Sequence, residues 1–388
     1  MDSVGCAGES QGGLLLRGFN DEITRLASAN LRVLEVIDAM NSMIPPIEVS
    51  KIHEATGIPR TSVSRTVQAL KRAGVRLRAD YSLKRLAFYL VSVLYEGLQG
   101  RIPAPEDTIK VEVTTPLGVL GVHFAPSTAI EDAIDYLLYA RRSARRLKVV
   151  IASDALLPKP SLSEIIWEAK MRVDPTTAWK AAERIAARED YRKRTPIIAA
   201  VQSLGEEMRL KPVLRDSLDM SILSGLEIDT FKALDFFASH AKVRKVKRKF
   251  NNHLKKHVTT VLRGSLTYYF DKGNAMILVF TRGVDCLRHN LLTLLAYPYT
   301  SGILVGSPAP SITGEIEVYD ALITLSVPPE HVTDTVNLLS ESCRWDDVSY
   351  EVVTRVELRY SRKFAMPAGL FDKRNLNWKN PFREPSFL

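Results

Sequence analysis

The stretch IEVSKIHEATGIPRTSVSRTVQALKRAGV, Ile47 to Val75, decides how the chain begins to fold. A short helix over Val49 to Ala55 must stop at Gly57-Ile58-Pro59, because glycine accepts a left-handed cap and proline cannot continue the ladder. A second helix runs from Thr61 to Ala73, where Gly74 ends it. Within it Val63, Val67 and Leu70 recur at helical spacing and turn inward. That leaves Arg60, Thr61, Ser62, Ser64, Arg65, Gln68 and Lys71 outside. Upstream, Leu26, Leu31, Leu34, Ile37 and Met40 mark a further helix from Asp21 to Met43, closed by Pro45-Pro46. Two short helices joined by a tight turn and preceded by a third form the helix-turn-helix plan. Its outward helix carries the mixture of Arg, Ser, Thr and Gln that reads base edges in a major groove.

The following segment, VRLRADYSLKRLAFYLVSVLYEG, alternates as a wing hairpin running into a buried strand. TIKVEVTT and GVLGVHFAPS then form a strand pair, STAIEDAIDYLLYARRSARR a helix and LKVVIAS a strand. The basic run Arg141 to Arg146 is expected to complement the dipole at that helix end. From Leu218 the plan returns: two helices, a basic third, a hairpin, then strands and helices in the order β-α-β-β-α-β, a ferredoxin-like unit. The predicted fold is therefore α+β, a tandem duplication with a helical connector between its halves. Its domains are a winged helix-turn-helix (20–85), a degenerate ferredoxin-like unit (86–153), the connector (154–212), a second winged helix-turn-helix (213–272), a second ferredoxin-like unit (273–360) and a basic extended tail (361–388). The connector packs Trp167, Trp179 and Ile185 inward, and its segment 160–190 is alternatively a further helix-turn-helix.

SHAKVRKVKRKFNNHLKKHV, Ser239 to Val258, holds eight lysines and arginines and no acid. Val243, Val246, Phe250 and Leu254 make one apolar stripe. Lys242, Arg244, Lys245, Arg248, Lys249, Lys255 and Lys256 crowd the rest. Like charges at i,i+4 repel, so an external polyanion is expected to offset them. His253 and His257 stand one turn apart, the spacing at which two imidazoles meet one metal. Lys255 and Lys256 argue against a cation there, so no metal is expected.

A formal charge of +9 with 25% charged residues fits a globular protein with an anionic partner. Cys6, Cys286 and Cys343 show no paired spacing, so neither a disulfide framework nor a zinc site is expected. The longest apolar run, Leu86 to Tyr95, is about half a membrane span. With no signal peptide at the start, the expected location is cytoplasmic. The catalytic motifs for phosphate, dinucleotide or acyl chemistry are missing from the sequence, so a non-enzyme without cofactor is expected.

Leu218-Asp219, Ile222-Leu223 and Leu226-Glu227 resemble the opening helix of the Lrp/AsnC ("feast/famine") transcription regulators. Val318 to Pro328, VYDALITLSVP, resembles the effector-domain strand of that family, with Tyr319 and Asp320 matching. The resemblance implies an archaeal, tandem-duplicated relative: a DNA-binding regulator on double-stranded DNA, a homodimer or an intramolecular pseudo-dimer, with a possible small-molecule effector near Tyr319 and Asp320. In that reading the residues of the two outward helices contact DNA, and Arg78 and Arg263 touch the backbone from the wings. The alternatives are a metabolite-sensing or assembly protein and an RNA-binding factor.

Overall fold

The computed structural model describes residues 26–27, 30–103, 112–168, 174–241, 244–268, 275–306, 315–342, 347–353, 355–356, 370–372 and 374–383. The chain is α+β. Its first half runs α1 (Arg32–Asn41), α2 (Val49–Thr56), α3 (Arg60–Arg72), β1 (Arg76–Tyr81), a single turn α4 (Leu83–Leu86), β2 (Phe88–Glu96), β3 (Glu112–Thr114), β4 (Gly118–Pro126), α5 (Ile130–Ala140) and β5 (Arg146–Leu156). Helices α6 (Leu162–Glu168), α7 (Pro175–Ala187), α8 (Glu189–Arg192) and α9 (Thr195–Gly205) connect it to the second half. There α10 (Ser217–Asp229), α11 (Ala233–Ala241), α12 (Val246–Lys256) and β6 (Leu262–Tyr268) precede β7 (Ala275–Arg282), α13 (Val284–Ala296), β8 (Thr300–Gly306), β9 (Ile316–Val318), β10 (Ala321–Val327), α14 (Val332–Ser342), β11 (Asp347–Val353) and β12 (Arg355–Val356). A small hairpin, β13 (Phe371–Asp372) with β14 (Asn377–Trp378), follows.

Local chemistry explains the helix ends. Gly57 closes α2 at φ 69°, a conformation glycine adopts without a Cβ penalty. Asp216 caps α10 by accepting from the amides of Leu218 (2.8 Å) and Asp219 (3.0 Å). Ile52, Val63 and Leu70 meet Leu34, Ile37 and Met40 in one core, which also takes Leu162 and Ile166 of α6. Asp38 ties α6 to α1 by accepting from Leu162 N (2.7 Å), Ser163 N (2.9 Å) and Ser163 Oγ (2.6 Å). Burial outweighs those bonds and pushes its carboxyl up to about 6.

The large sheet has the order β11-β7-β10-β8-β5-β2-β4-β3-β12, and β9 also pairs with β5. Within each half the strands stand fourth, first, third, second: β11-β7-β10-β8 and β5-β2-β4-β3. The halves join where β5 meets β8, with Leu156 opposite Ile303. They join again where β12 meets β3, Val356 opposite Val113. Since β11 and β12 are one run of chain interrupted only at residue 354, the two ends of the sheet are the same segment. The sheet is a ring.

Alternation along each strand divides its faces. Leu90, Leu94, Val150, Ala152, Leu278, Phe280 and Leu322 share one core. On the opposite face Val91, Val93, Val149 and Ile151 pack under α5, and Ile277, Val279, Ile323 and Leu325 pack with α7, α13 and α14.

The expected wing hairpins are not what β1 and β6 build. Each strand pairs antiparallel with the other, Arg76 opposite Tyr268 through Asp80 opposite Gly264, so the two halves share one ribbon. Three side-chain expectations also change. Trp179 and Ile185 are buried, but Trp167 is 84% exposed, because α6 buries its other side (Leu162, Ile165, Ile166). Arg141 donates to the Ala144 carbonyl at the end of its own helix and pairs with Glu315, while Arg146 pairs with Glu317. Cys286 is disulfide-bonded, although sequence spacing suggested no bridge. In the tail, Trp378 donates its indole N–H to the Leu86 carbonyl (2.6 Å) and meets Phe88 edge-on.

Candidate functional site

The residues predicted to touch DNA fall into three environments. On α3, Arg60, Thr61, Ser62, Arg65, Gln68 and Lys71 are exposed and Ser64 is half-buried, so the helix does present them. Lys71 also reaches over the Phe231 ring, its Nζ 4.5 Å from the centroid. Arg244, Lys245, Arg248, Lys249, Lys255 and Lys256 are exposed along α12 and the turn before it, while Lys242 lies outside the described residues. The expected wing contacts are different. Arg78 turns back onto Glu227, donating from Nε to its carbonyl at 3.1 Å, and Arg263 is buried.

Arg263 is the hub of a buried ionic clasp. It donates to Asp154 Oδ1 (2.6 Å), Ser203 Oγ (2.7 Å) and Asp80 Oδ1 (2.8 Å), and also to the Ala155 carbonyl. Lys159 Nζ stands 3.0 Å from Asp80 Oδ2. Ser203 donates to Asp154 Oδ2 at 2.6 Å. Ribbon, sheet and connector are therefore pinned together by buried ion pairs and the hydrogen bonds around them. Burial alone would raise the Asp80 carboxyl, but Arg263 and Lys159 outweigh it and hold it below its usual range. This is a structural joint, buried out of reach of a phosphate.

The second cluster joins α10 to α12. Asp219 is fully buried. His253 Nδ1 lies 2.8 Å and His257 Nδ1 3.2 Å from the same atom, Asp219 Oδ1. Asp219 Oδ2 accepts from the Arg215 amide at 2.8 Å, which fixes the carboxylate. The half-exposed Asp216 places Oδ2 3.6 Å from His253 Nδ1. The two imidazoles meet nearly perpendicular, 5.3 Å between centroids. Phe250 and Leu254 anchor α12 in the core and so aim 253 and 257 at α10. Lys249 lies one turn before His253 and Lys256 nearly one turn after, so exposed ammonium groups flank the pair. Sequence reading found the histidines and missed Asp219, which it noted only for its part in an LD motif; burial of an acid in the first turn of α10 was the missing signal.

Two further polar groups stand out, one bridging the halves and one within the first. Lys148 contacts Ser349 Oγ (2.7 Å), Glu96 Oε1 (3.0 Å) and Glu351 Oε1 (3.1 Å), linking β5 to both β2 and β11 on the inner side of the ring. His123 is fully buried, with Nε2 2.9 Å from the Tyr95 hydroxyl, which in turn meets Tyr136 at 2.9 Å. Burial pushes His123 down to about 3, so it is neutral. The effector candidates are structural: Tyr319 is buried, donates to Glu317 Oε2 (3.0 Å) and lies under the Arg282 guanidinium, and Asp320 Oδ2 accepts from the Gly283 amide (2.9 Å).

No family model matches the chain, and no curated protein is similar to it. Among solved structures it is similar to the siroheme decarboxylase NirDL, at 11% identity and a TM-score of 0.46, covering 84% of this chain and 91% of that one. It is also similar to the same decarboxylase in complex with an iron-uroporphyrin III analogue, again at 11% identity, with a TM-score of 0.45 and 83% and 90% covered. These neighbours are structures of an enzyme. The wings are consumed in a shared ribbon and Arg263 is buried at its hub, which corrects the expectations of a DNA-binding regulator and a double-stranded DNA partner, and the expectation of a non-enzyme is withdrawn with them. Among the described residues no helix is long and apolar enough to cross a membrane.

Proposed function

We propose that the chain is an enzyme acting on a polycarboxylate small molecule of the tetrapyrrole class, built from two fused Lrp/AsnC-like halves. Each half, in this reading, is a winged helix-turn-helix followed by a ferredoxin-like unit, and the halves form an intramolecular pseudo-dimer. The repeated strand order and the shared β1–β6 ribbon support the duplication. One observation carries the site: His253 and His257 converge on buried Asp219, flanked on the same side of the helix by exposed Lys249 and Lys256. Cations bind carboxylates through charge-assisted hydrogen bonds. Loss of carbon dioxide from an acetate arm leaves a carbon that must take up a proton, and this cluster is where one would be held.

The names of the structural neighbours choose the compound to try first, an iron-uroporphyrin; the support lies in this chain's residues. Absorbance titration should show saturable binding that weakens with salt. Lys249→Ala and Lys256→Ala should each weaken it roughly tenfold, one charge-assisted bond of about 1.5 kcal/mol. Mass spectrometry of siroheme incubated anaerobically with the protein should then detect loss of carbon dioxide. No binding at low salt, or binding indifferent to both substitutions, would sink the proposal.

A further inference from the structure

We propose that Asp219, His253 and His257 form a site for a divalent transition-metal ion, of the zinc, cobalt or nickel type. Their three donor atoms lie within 4.8 Å of one another. A zinc ion bound at about 2.0–2.1 Å by tetrahedral donors sets them about 3.3 Å apart. Two of the distances are already 2.8 and 3.2 Å. Shifts of about half an ångström or less on those two therefore make room for an ion. The i,i+4 histidines come from one face of α12, and the acid arrives from another helix.

The carboxylate supplies the second, independent argument. Asp219 is fully buried, and among the described residues no lysine or arginine side chain pairs with it; its partners are the Arg215 amide and the two imidazoles. A buried carboxylate requires a compensating charge. Its Oδ2–amide bond fixes the orientation of the ligand atom Oδ1, the arrangement outer partners give metal ligands. Two imidazole nitrogens with one carboxylate oxygen select zinc-type ions over magnesium or calcium, which prefer all-oxygen sites. Three protein donors leave a tetrahedral ion one position short, which a water would fill, and a metal-bound water ionises near neutrality.

The lysines that argued against a cation do not decide the matter. Water screens the repulsion between an exposed ammonium and a doubly charged ion to about 1 kcal/mol at a separation of roughly 8 Å. Complete zinc sites bind with about 10–16 kcal/mol.

The site stands without the substrate reading, because metal uptake is measured on the protein alone. Full-length protein without a histidine tag, stripped with a chelator and titrated with cobalt(II), should take up one ion per chain and develop the visible absorption of a tetrahedral site. Zinc should displace it and raise the melting temperature. His253→Gln, His257→Gln and Asp219→Asn should each lower affinity at least roughly hundredfold, more than the loss of an outer partner. His257→Gln, at a half-exposed position, serves as the variant that keeps the fold, checked by circular dichroism. Absence of stoichiometric uptake, or uptake equal in the folded His257→Gln variant, overturns the proposal. Iron-uroporphyrin binding, followed separately with and without zinc, reports on the enzyme reading alone.

Discussion

Two regions of the molecule bury aspartates, and they neutralise them differently. At the ribbon, Asp80 and Asp154 are met by Arg263 and Lys159, side chains that meet them as direct ion pairs. Under α12, Asp219 is met by two imidazoles, which can be charged, neutral or metal-bound. The first arrangement suits a joint that must never open. The second suits a place where charge is exchanged. Both were hidden in residues that sequence reading had assigned to DNA: Arg263 as a wing contact, and α12 as a polyanion binder.

The comparison is broken most sharply at Arg263. Arg263→Ala leaves two buried carboxylates short of a partner, and urea denaturation should register a loss of about 3–5 kcal/mol. Acid should act on the same joint. Asp80 is held below its usual value, so its stabilisation is present above the unfolded carboxyl range and lost as pH falls through its folded value, below about 4. His123 supplies a contrast, an imidazole with no carboxylate. Its folded value is depressed to about 3, so the unfolded chain takes up a proton first and stability falls from about pH 6.5 downward. Between pH 7 and 5 the native protein should lose about 2 kcal/mol more than His123→Gln, measured by denaturation at both values.

Under α12 the effects should be smaller. Asp219→Asn keeps a side chain of the same shape but weakens the bonds to both imidazoles. A loss of about 1–3 kcal/mol in thermal or urea unfolding is expected. Smallest of all, Arg65→Ala on exposed α3 should move stability by no more than about 0.5 kcal/mol. A larger shift would show that α3 has a structural partner, and would sharpen the contrast between the two outward helices.

Much of the local architecture was legible. Helical spacing around Val63 and Leu70, the glycine at 57 and the alternation in Leu90 to Leu94 are written in adjacent residues, and they led to helices and strands where they occur. The pairings were not legible. β1 joins β6 across more than 180 positions, with Arg76 opposite Tyr268, and no local pattern distinguishes that from a hairpin. Arg263 lies in a strand whose charge looked solvent-facing until the connector folded over it with Lys159 and Ser203. The candidate site was half legible: the histidine spacing sits in one helix, while Asp219 comes from 34 residues earlier.

A single run of chain, residues 347–356, borders the large sheet at both ends, pairing with β7 through β11 and with β3 through β12. Separating the polypeptide in the connector would give each fragment two raw borders, and co-expressed fragments should then seek each other out or precipitate. Carrying both sets of strands on one chain makes their encounter independent of concentration.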